Sequence, residues 1–495
     1  MKGLKIVLRD TGAVLLAVGV ITVIAAIVPL LVDFNGEKEN VPWIFLTMVI
    51  FLIVGTFFRL IGRDKGEPKI KHAMIIAAFS WLLISLISTI PFHYINYAEK
   101  MDFLSAFFEA VAGWTGTGLT MVNFESTLPY TVQFWRTFTQ WIGGVGVIVL
   151  TLIVLARPGT GSFTLYRSEA REEKIHPSII STVKSIWWIF LLYTILGIIV
   201  LYIVGLISGE GMGLWEAVNH CMTGIATGGF SVTDDSMASY GVVTQIVITV
   251  LMIFGAIAFV THYDLLKGRV RKFFSDAQTQ ALITLIFIGV IALIFVNLND
   301  PNYGGNITRS IKESGFQFIS AITCTGFATA NILSWGASAK MILSFAMVIG
   351  GAAGSTAGGI KLFRIILLAK GTGWKIRHIF LPPKGTVRYK LGGKPLGRDE
   401  ALEEITEASI LSFLWMILLF IGIMVILYTT HASLENAIFE VCSAQGNVGL
   451  STGITSAGMN PVAKFMLIIN MWIGRLEIIP ILVFFRALLK GQSIV

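Results

Sequence analysis

The stretch GWTGTGLT at residues 113–120 decides how the chain folds. It follows directly on FLSAFFEAVA at 103–112, an apolar, helix-like run. Glycine and threonine are poor helix formers, so three of each among eight residues should end that helix. Backbone outside a helix is costly at membrane depth, because lipid cannot satisfy its hydrogen bonds. Non-helical backbone at residues 113–120 of a membrane-like chain therefore needs a functional explanation.

The composition is that of a membrane protein. Of the 495 residues, 55% are hydrophobic and only 13% are charged, and the mean hydropathy is +0.78. A soluble chain of this length would carry about a quarter charged residues. The first long apolar run, residues 12–32, is too long for the core of a cleavable signal and has no clear cleavage site after it. The sequence therefore predicts an all-α polytopic protein of the lipid bilayer.

Positive charge clusters in alternate loops, and the net charge is +8. Lys and Arg cluster in these segments: the N-terminus, 59–72, 156–184, 267–272 and 361–406. The loop 33–42 holds one Lys, and 208–213 holds none. Cytoplasmic loops carry such an excess, which predicts that the basic loops and both termini are cytoplasmic. Nucleic acid is not the natural partner for charges placed in this way.

Apolar segments of two lengths alternate along the chain. Ten are near the length of about 20 residues that spans a bilayer: 11–32, 43–62, 73–93, 131–155, 184–207, 241–264, 278–298, 337–370, 407–429 and 462–489. Four of about 12 residues are too short to span, which suggests core or re-entrant helices: 103–115, 214–226, 313–325 and 434–446. Each short segment lies between two spans on the charge-poor side.

The same turn follows each short segment. The four sequences are TGTGLT (115–120), IATGGFS (225–231), TCTGFAT (323–329) and GNVGLST (446–452). They align on one glycine each: Gly118, Gly229, Gly326 and Gly449. A single such glycine would suggest helix packing. Four in register indicate an internal fourfold repeat of span, half-helix, glycine turn and span.

A polar residue lies nine positions before each of these glycines: Glu109, His220, Gln317 and Glu440. Glu109 and Glu440 could form an electronegative support around the turns, or each could be a buried carboxylate bonded to nearby backbone. The His and Gln at the matching positions argue against a metal or acid–base role. Asp234 and Asp235, after the second turn, are expected at the outer mouth, where they would concentrate cations.

The repeat also gives the domain organisation. Residues 1–70 hold two additional spans, and the four units follow in this order: 71–160, 161–272, 273–400 and 401–495. Four half-helices and turns around one axis would direct rings of carbonyl oxygens at its centre, and such rings replace the hydration shell of K⁺. The half-helices would also point their negative C-terminal ends at the centre. The geometry therefore predicts a pore for a dehydrated monovalent cation.

Four longer motifs accompany the turns. They are RTFTQWIGGVGVIVL (136–150), MIFGAIAFVTHYDLL (252–266), GGAAGSTAGGIKLFR (350–364) and WIGRLEIIPIL (472–482). With the turns, they resemble the Trk/Ktr/HKT superfamily of potassium transporters, in particular its TrkH/TrkG branch, over nearly the whole chain. The resemblance implies four fused M1–P-loop–M2 units after two extra N-terminal helices, a homodimer, and a cytosolic TrkA-like ring of nucleotide-binding regulatory subunits.

The resemblance also assigns a selectivity filter. In plant members, a serine at the first glycine position accompanies sodium transport; here that residue is Gly118, which implies K⁺ as the main ion. The expected carbonyl donors are these residues: Gly116, Thr117, Gly118, Thr227, Gly228, Gly229, Cys324, Thr325, Gly326, Asn447, Val448 and Gly449. Their side chains differ, so the rings are chemically unequal.

A gate is expected beneath the filter. In the family, a flexible loop obstructs the cavity there, and the matching residues are Gly350, Gly351, Gly354, Ser355, Thr356, Gly358 and Gly359. Small residues suit a segment that changes its backbone angles, although tight helix packing is the alternative. Lys361 would repel K⁺ or anchor at the cytoplasmic interface. Arg475 is expected to line the pore and act with this loop; its alternative is a structural pair with Glu477.

Two rival functions remain open from the sequence. A proton- or sodium-coupled potassium symporter would also use broken helices, but it would need a chain of intramembrane titratable residues. A membrane enzyme would need a catalytic or cofactor motif, and none is recognisable. Cys221, Cys324 and Cys442 match no metal spacing and are expected to be buried packing residues, and His262 is expected to be interfacial.

Nucleotide regulation is expected to come from outside the chain. The sequence has no dinucleotide-binding strand–GxGxxG–helix unit, so a nucleotide would act only through a partner. The basic segment 371–406 directly follows the expected gate and is the predicted docking site of that regulatory subunit. No cofactor is predicted in this chain, and K⁺ is the transported ion.

Overall fold

The computed structural model describes residues 2–490 apart from 64–65, 67, 96–99, 156–178, 210–211, 383–385 and 393. Helices dominate. In chain order they are α1 (Lys2–Val32), α2 (Phe34–Glu37), α3 (Val41–Ile61), α4 (Ile70–Ile87), α5 (Thr89–Tyr94), α6 (Phe103–Thr115), α7 (Tyr130–Leu155), α8 (Ile179–Ser208), α9 (Leu214–Ile225), α10 (Val242–Ala256), α11 (Phe259–Leu266), α12 (Val270–Ser275), α13 (Ala277–Leu298), α14 (Ile307–Ile322), α15 (Ala337–Ile349), α16 (Leu362–Ile379), α17 (Arg398–Thr430), α18 (Leu434–Gln445), α19 (Pro461–Leu476) and α20 (Ile478–Lys490). One antiparallel hairpin, β1 (Lys390–Leu391) and β2 (Lys394–Pro395), lies in the segment between α16 and α17.

Among the described residues, six helices are long and apolar enough to cross a membrane, and two bent helix pairs raise that number to eight. The prediction of an all-α polytopic membrane protein is confirmed. Three of the ten predicted spans are not single helices. The 241–264 span bends by 109° between α10 and α11, and the 462–489 span bends by 112° between α19 and α20. The 337–370 span is divided into α15 and α16 by a loop.

The four units close into a ring. Each short half-helix, α6, α9, α14 or α18, lies between a spanning helix and the helix that returns through the membrane. Each also packs against the return helix of the preceding unit, as α9 does on α7, α14 on α10 and α18 on α15. The first half-helix, α6, packs on α19 of the fourth unit, which completes the circle.

The two additional N-terminal helices form a close pair outside this ring. A Cβ added at Gly12 of α1 would lie 2.6 Å from the Gly55 carbonyl oxygen of α3. The absence of side chains at these glycines lets the two helices approach closely, and α1 then packs on α4 and α7 of the first unit. The pair therefore buttresses the first unit and takes no part in the ring.

The return helices differ at the level where they cross the half-helix ends. In the first unit, α7 is one continuous helix. In the second, Ile257 and Ala258 interrupt it, and in the fourth a single residue, Glu477, bends it at φ 64°. In the third unit, residues 350–361 form a loop that contains no helix. The basic residues of 156–178 predicted to be cytoplasmic lie outside the described residues.

Candidate ion pathway

The four glycine turns meet at one buried point. A Cβ built on Gly229 would overlap the Thr325 carbonyl oxygen, and one on Gly326 would overlap that of Val448. A Cβ on Gly449 would overlap the backbone of Gly118. At Gly118 the Cβ would lie 2.9 Å from the Gly228 carbonyl oxygen. Each turn thus touches the next around the ring, so the structure brings together the four turns that hold the predicted filter residues.

Every half-helix ends in the same way. The N–H groups of Thr117, Gly228, Thr325 and Val448 donate to the carbonyl five residues earlier. The residue before each donor is left-handed: Gly116 at φ 68°, Thr227 at 50°, Cys324 at 56° and Asn447 at 53°. This is the Schellman ending of a helix, for which glycine is the usual residue. Only the first unit uses glycine there, and the sequence alignment on Gly118 did not single this position out.

Some of the carbonyl groups predicted to bind the ion already accept hydrogen bonds within the protein. Gln140 of α7 donates from Nε2 to the Gly228 carbonyl (2.7 Å) and the Thr117 carbonyl (3.3 Å), and its Oε1 accepts from Phe230 N–H. Gly118 N–H donates to the Val448 carbonyl at 3.2 Å. Gln140 is fully buried. It is a positioning residue of the turns that the sequence pattern missed, although it opens the QWIGG motif.

The polar residue of each half-helix holds the chain after the turn. It accepts a hydrogen bond from the backbone N–H twelve residues later in every unit: Glu109 from Met121 (2.8 Å), His220 from Val232 (3.4 Å), Gln317 from Thr329 (2.9 Å, with the amide oxygen facing this N–H) and Glu440 from Thr452 (2.9 Å). All four side chains are fully buried. The position requires an acceptor, and carboxylate, imidazole and amide all supply one.

Glu109 has a cationic partner as well. Arg136 of α7 lies 2.7 Å from its Oε1, and both side chains are fully buried. The guanidinium also donates to the Ser231 carbonyl at 2.9 Å and lies 4.3 Å from the centre of the Phe230 ring. Arg136 therefore joins the first and second units directly behind the filter. The sequence analysis missed it; an arginine inside an apolar span was the available signal.

A vestibule of about 240 Å³ lies over the turns. Its wall includes the four aligned glycines of the turns, Arg136, Glu125 and Asp234. Asp234 accepts from the N–H and hydroxyl of Ser126, both at 2.8 Å, which ties the outer loops of units one and two together. Burial raises the pKa of Glu125 to about 7. Asp234 was predicted at the outer mouth, but Glu125, a stronger feature of this cavity, was not.

The 350–361 loop lies on the opposite side of the turns. Its Ala352 and Thr356 N–H groups donate to the carbonyls of Ala256 and Gly255 in the second unit. On the other side, Gly359 N–H donates to the Gly446 carbonyl, at the end of the fourth half-helix, at 3.1 Å. The loop therefore crosses beneath the four turns from the second unit to the fourth.

Arg475 fastens this loop from the fourth unit. Its NH1 donates to the Thr356 carbonyl at 2.7 Å, and its NH2 donates to the carbonyls of Gly143 and Gly144 in α7 at 2.8 and 2.7 Å. The side chain is 5% exposed. Arg475 thus places a buried positive charge among backbone carbonyl oxygens of the first and third units.

Comparison with known proteins identifies the family. A model of the TrkH family, described as cation transport proteins, matches residues 40–495. The chain belongs to the TrkH family. An uncharacterised cation transporter of Methanocaldococcus jannaschii is 36% identical over 98% of this chain and 96% of its own length. The Trk system potassium uptake protein TrkH of Salmonella typhimurium is 32% identical over 86% of each chain.

The fold agrees with a solved member of the TrkH family. The crystal structure of the potassium transporter TrkH from Vibrio parahaemolyticus superposes with a TM-score of 0.83 at 25% identity, covering 99% of both chains. The resemblance noted in the sequence is therefore confirmed, together with the four-unit fold.

Three expectations for single residues of this TrkH-family chain need refinement. Glu477, at the bend between α19 and α20, forms an ion pair with Arg364 of α16 at 2.6 Å. Lys361 is 8% exposed, and its Nζ donates to the Ala357 carbonyl inside the loop at 2.6 Å. The prediction that His262 is interfacial is wrong. Its ring is fully buried between the Tyr193 hydroxyl (3.1 Å) and the Phe254 carbonyl (2.8 Å), because the 109° bend turns α11 back into the protein.

Proposed function

We propose that the protein takes up potassium across the cytoplasmic membrane through a gated, channel-like pore. The observation that carries this proposal is the meeting of four equivalent turns, each closed by the same helix ending and the same acceptor, at one buried point. Backbone carbonyls arranged around an axis suit a dehydrated K⁺. The family and the relatives named for potassium uptake support the same ion. The twelve turn residues from Gly116 to Gly449 form the filter in this proposal.

The 350–361 loop and Arg475 form the gate. The loop is bonded to the second and fourth units, and Arg475 bonds it to the first. A guanidinium below the filter repels a permeating cation, and the loop obstructs the path sterically. Lys361 contributes through its bond to Ala357, which fixes the end of the loop, rather than as a free charge in the pore. Opening requires the loop and Arg475 to separate.

Regulation comes from other subunits. The chain forms a homodimer with cytoplasmic termini, and a cytosolic TrkA-like ring docks on the basic 371–406 segment. The relatives carry the name of the Trk system, which supports such a partner. Nucleotide acts only through that ring, no cofactor binds this chain, and the chain is not an enzyme.

Flux through purified protein in liposomes tests the proposal. K⁺ and Na⁺ movement is followed under imposed ion gradients with the membrane potential clamped, with and without a pH or Na⁺ gradient. K⁺ flux down its own electrochemical gradient at any pH supports a channel-like pore. Flux that stops without a proton or sodium gradient would instead establish the coupled symporter of the same fold.

Arg475→Ala tests the gate. Removing the guanidinium breaks its bonds to three carbonyls and removes a positive charge from the pore, so basal K⁺ flux should rise at least about tenfold, the factor for about 1.4 kcal/mol. Arg309→Ala, which removes an exposed arginine of the outer surface, is the matched control and should leave flux unchanged. Unchanged flux and unchanged regulation in Arg475→Ala would refute the gate assignment, provided that the variant elutes as the wild-type oligomer in size exclusion.

A further inference from the structure

Thr356 is the most densely bonded residue of the gate loop. Its carbonyl accepts from Arg475, and its N–H donates to the Gly255 carbonyl at 3.1 Å. Its hydroxyl lies 2.9 Å from that same carbonyl and 3.1 Å from the Ile225 carbonyl. Ile225 is the last residue of the second half-helix. One residue thus joins the loop to the helix that aims at the filter.

The hydroxyl also reaches the filter itself. Thr227 Oγ1 lies 3.1 Å from Thr356 Oγ1, and both side chains are buried. Thr227 occupies the left-handed position of the second turn, at φ 50°. This conformation is sparsely populated by threonine and persists only where the surroundings enforce it. The bond to Thr356 is one of the contacts that enforce it.

Thr227 has a second acceptor available. Its hydroxyl lies 2.8 Å from the Ala226 carbonyl, so when Thr356 leaves, the hydroxyl can donate to its own preceding backbone instead. That exchange alters the surroundings of a turn whose neighbouring residue, Gly228, supplies a proposed carbonyl ligand. The three other left-handed positions carry Gly116, Cys324 and Asn447, which have no hydroxyl. The link is therefore a property of the second unit.

We propose that Thr356 couples the gate to the selectivity filter through the Thr227 hydroxyl, so that displacement of the loop changes ion selectivity as well as flux. This rests on the proposed function, because it requires that the turns bind K⁺ and that the loop moves. In this arrangement the filter is most selective while the loop is bound, and Thr356 determines specificity without touching the ion.

Thr356→Val tests the coupling, because it removes the hydroxyl and retains the shape and the backbone groups. The ratio of K⁺ to Na⁺ affinity of the closed protein should fall by about fivefold, the factor that a hydrogen bond of ordinary strength represents. Thr356→Ser restores a hydroxyl and should restore the ratio. Thr227→Val should lower the ratio similarly, and the double variant should be no worse than either single one, because both break the same bond.

Ion-dependent melting of the protein measures this ratio and does not require an open gate. K⁺ bound to the filter should raise the melting temperature of the detergent-solubilised protein more than Na⁺ does, by linkage. Thr356→Val should shrink this K⁺-specific shift, and Thr356→Ser should retain it.

The outcomes separate the two proposals. If the wild type shows a K⁺-specific shift and Thr356→Val shows the same shift, the coupling is wrong and the filter stands. If the effects of Thr356→Val and Thr227→Val add, the two residues act independently, and the coupling is wrong. If the wild type shows neither a K⁺-specific shift nor K⁺ flux, the proposed function itself fails, and the coupling fails with it.

Discussion

The four units repeat one another on the vestibule side of the ring but differ from one another on the loop side. On the vestibule side, all four units repeat the same hydrogen bond at the helix end and the same acceptor twelve residues before its donor. On the loop side, no two return helices are alike: α7 is continuous, two others bend at different residues, and the third opens into the 350–361 loop. The repeat is conserved where the turns meet and lost just below them.

The difference follows from what each half must do. A ring of ligands functions only if every unit supplies its share, so four copies of one backbone geometry are needed. A barrier needs only one segment across the path, and four loops of twelve residues could not fit beneath one filter. A single loop fixed by a single arginine therefore suits the loop side, in agreement with the gate proposed there.

The strongest test of the vestibule side of the ring compares two of its glycines. A serine at Gly229 would place Cβ onto the Thr325 carbonyl and force a side chain to φ 77°. A serine at Gly118 meets the Gly228 carbonyl at 2.9 Å, and no positive φ is required there. Gly229→Ser should therefore reduce K⁺ flux to the level of empty liposomes, whereas Gly118→Ser should conduct with a lower K⁺/Na⁺ ratio.

Size-exclusion elution of each variant separates loss of fold from loss of conduction. Equal losses of flux in Gly118→Ser and Gly229→Ser would contradict the inequality of the four turns. The first turn would then be as constrained as the others, and the serine of the plant relatives would need another explanation.

A second comparison concerns the two acidic acceptors. Glu109 is paired with buried Arg136, whereas the partners of Glu440 are the hydroxyls of Ser451 and Thr452 and the N–H groups of Thr452 and Thr455. Glu109→Gln leaves a buried guanidinium uncompensated and should cost about 3–5 kcal/mol. Glu440→Gln keeps an acceptor and should cost about 1 kcal/mol. Thermal unfolding of the purified protein ranks the two variants.

The double variant Glu109→Gln with Arg136→Met controls for the uncompensated charge. Replacing both members of a buried ion pair is much less costly than removing one, so the double variant should recover much of the stability lost in Glu109→Gln. A double variant less stable than Glu109→Gln would show that Arg136 stabilises the protein through the Ser231 carbonyl and the Phe230 ring rather than through the ion pair.

The fourfold repeat was visible in the sequence, but the residues and backbone conformations that hold each turn in place were not. Alignment on the glycines predicted which residues meet, because a spacing pattern survives where four units need one geometry. It did not reveal the left-handed positions, since glycine, threonine, cysteine and asparagine share no visible chemistry. Arg136, Gln140 and Glu125 each occur in one unit only, so no repeat marks them.

The breaks of the return helices were hidden for a different reason. Residues 241–264 and 462–489 were predicted as continuous apolar spans because hydropathy measures how apolar a segment is, not whether its helix axis bends. A bend at Glu477 needs one residue with a positive φ, and nothing in composition requires it. Residues 350–361 were likewise included in one apolar span, 337–370; five of them are glycine, a poor helix former, but the loop itself was expected from the family resemblance.

The smallest predicted effect concerns Glu125 in the vestibule. Burial raises the pKa of Glu125 to about 7; Arg136 opposes the shift, and Glu109 and Asp234 add to it. The carboxyl group is therefore mostly ionised at an external pH of about 8 and mostly protonated at about 6. Because a negative charge at the entrance attracts cations, K⁺ uptake should fall as the external pH decreases across this window. A fall of about fivefold is expected, from the roughly 1 kcal/mol of attraction between unit charges in a water-filled site.

Glu125→Gln distinguishes this charge from the rest of the outer surface. The variant should show the low-pH uptake at every pH, because its amide is neutral throughout. Asp235→Asn removes a neighbouring carboxylate that contacts Ser239 and does not line the vestibule, and it should keep the pH dependence. If Glu125→Gln retains the wild-type pH profile, the titrating group lies elsewhere. The charge of Glu125 would then make no contribution to K⁺ entry.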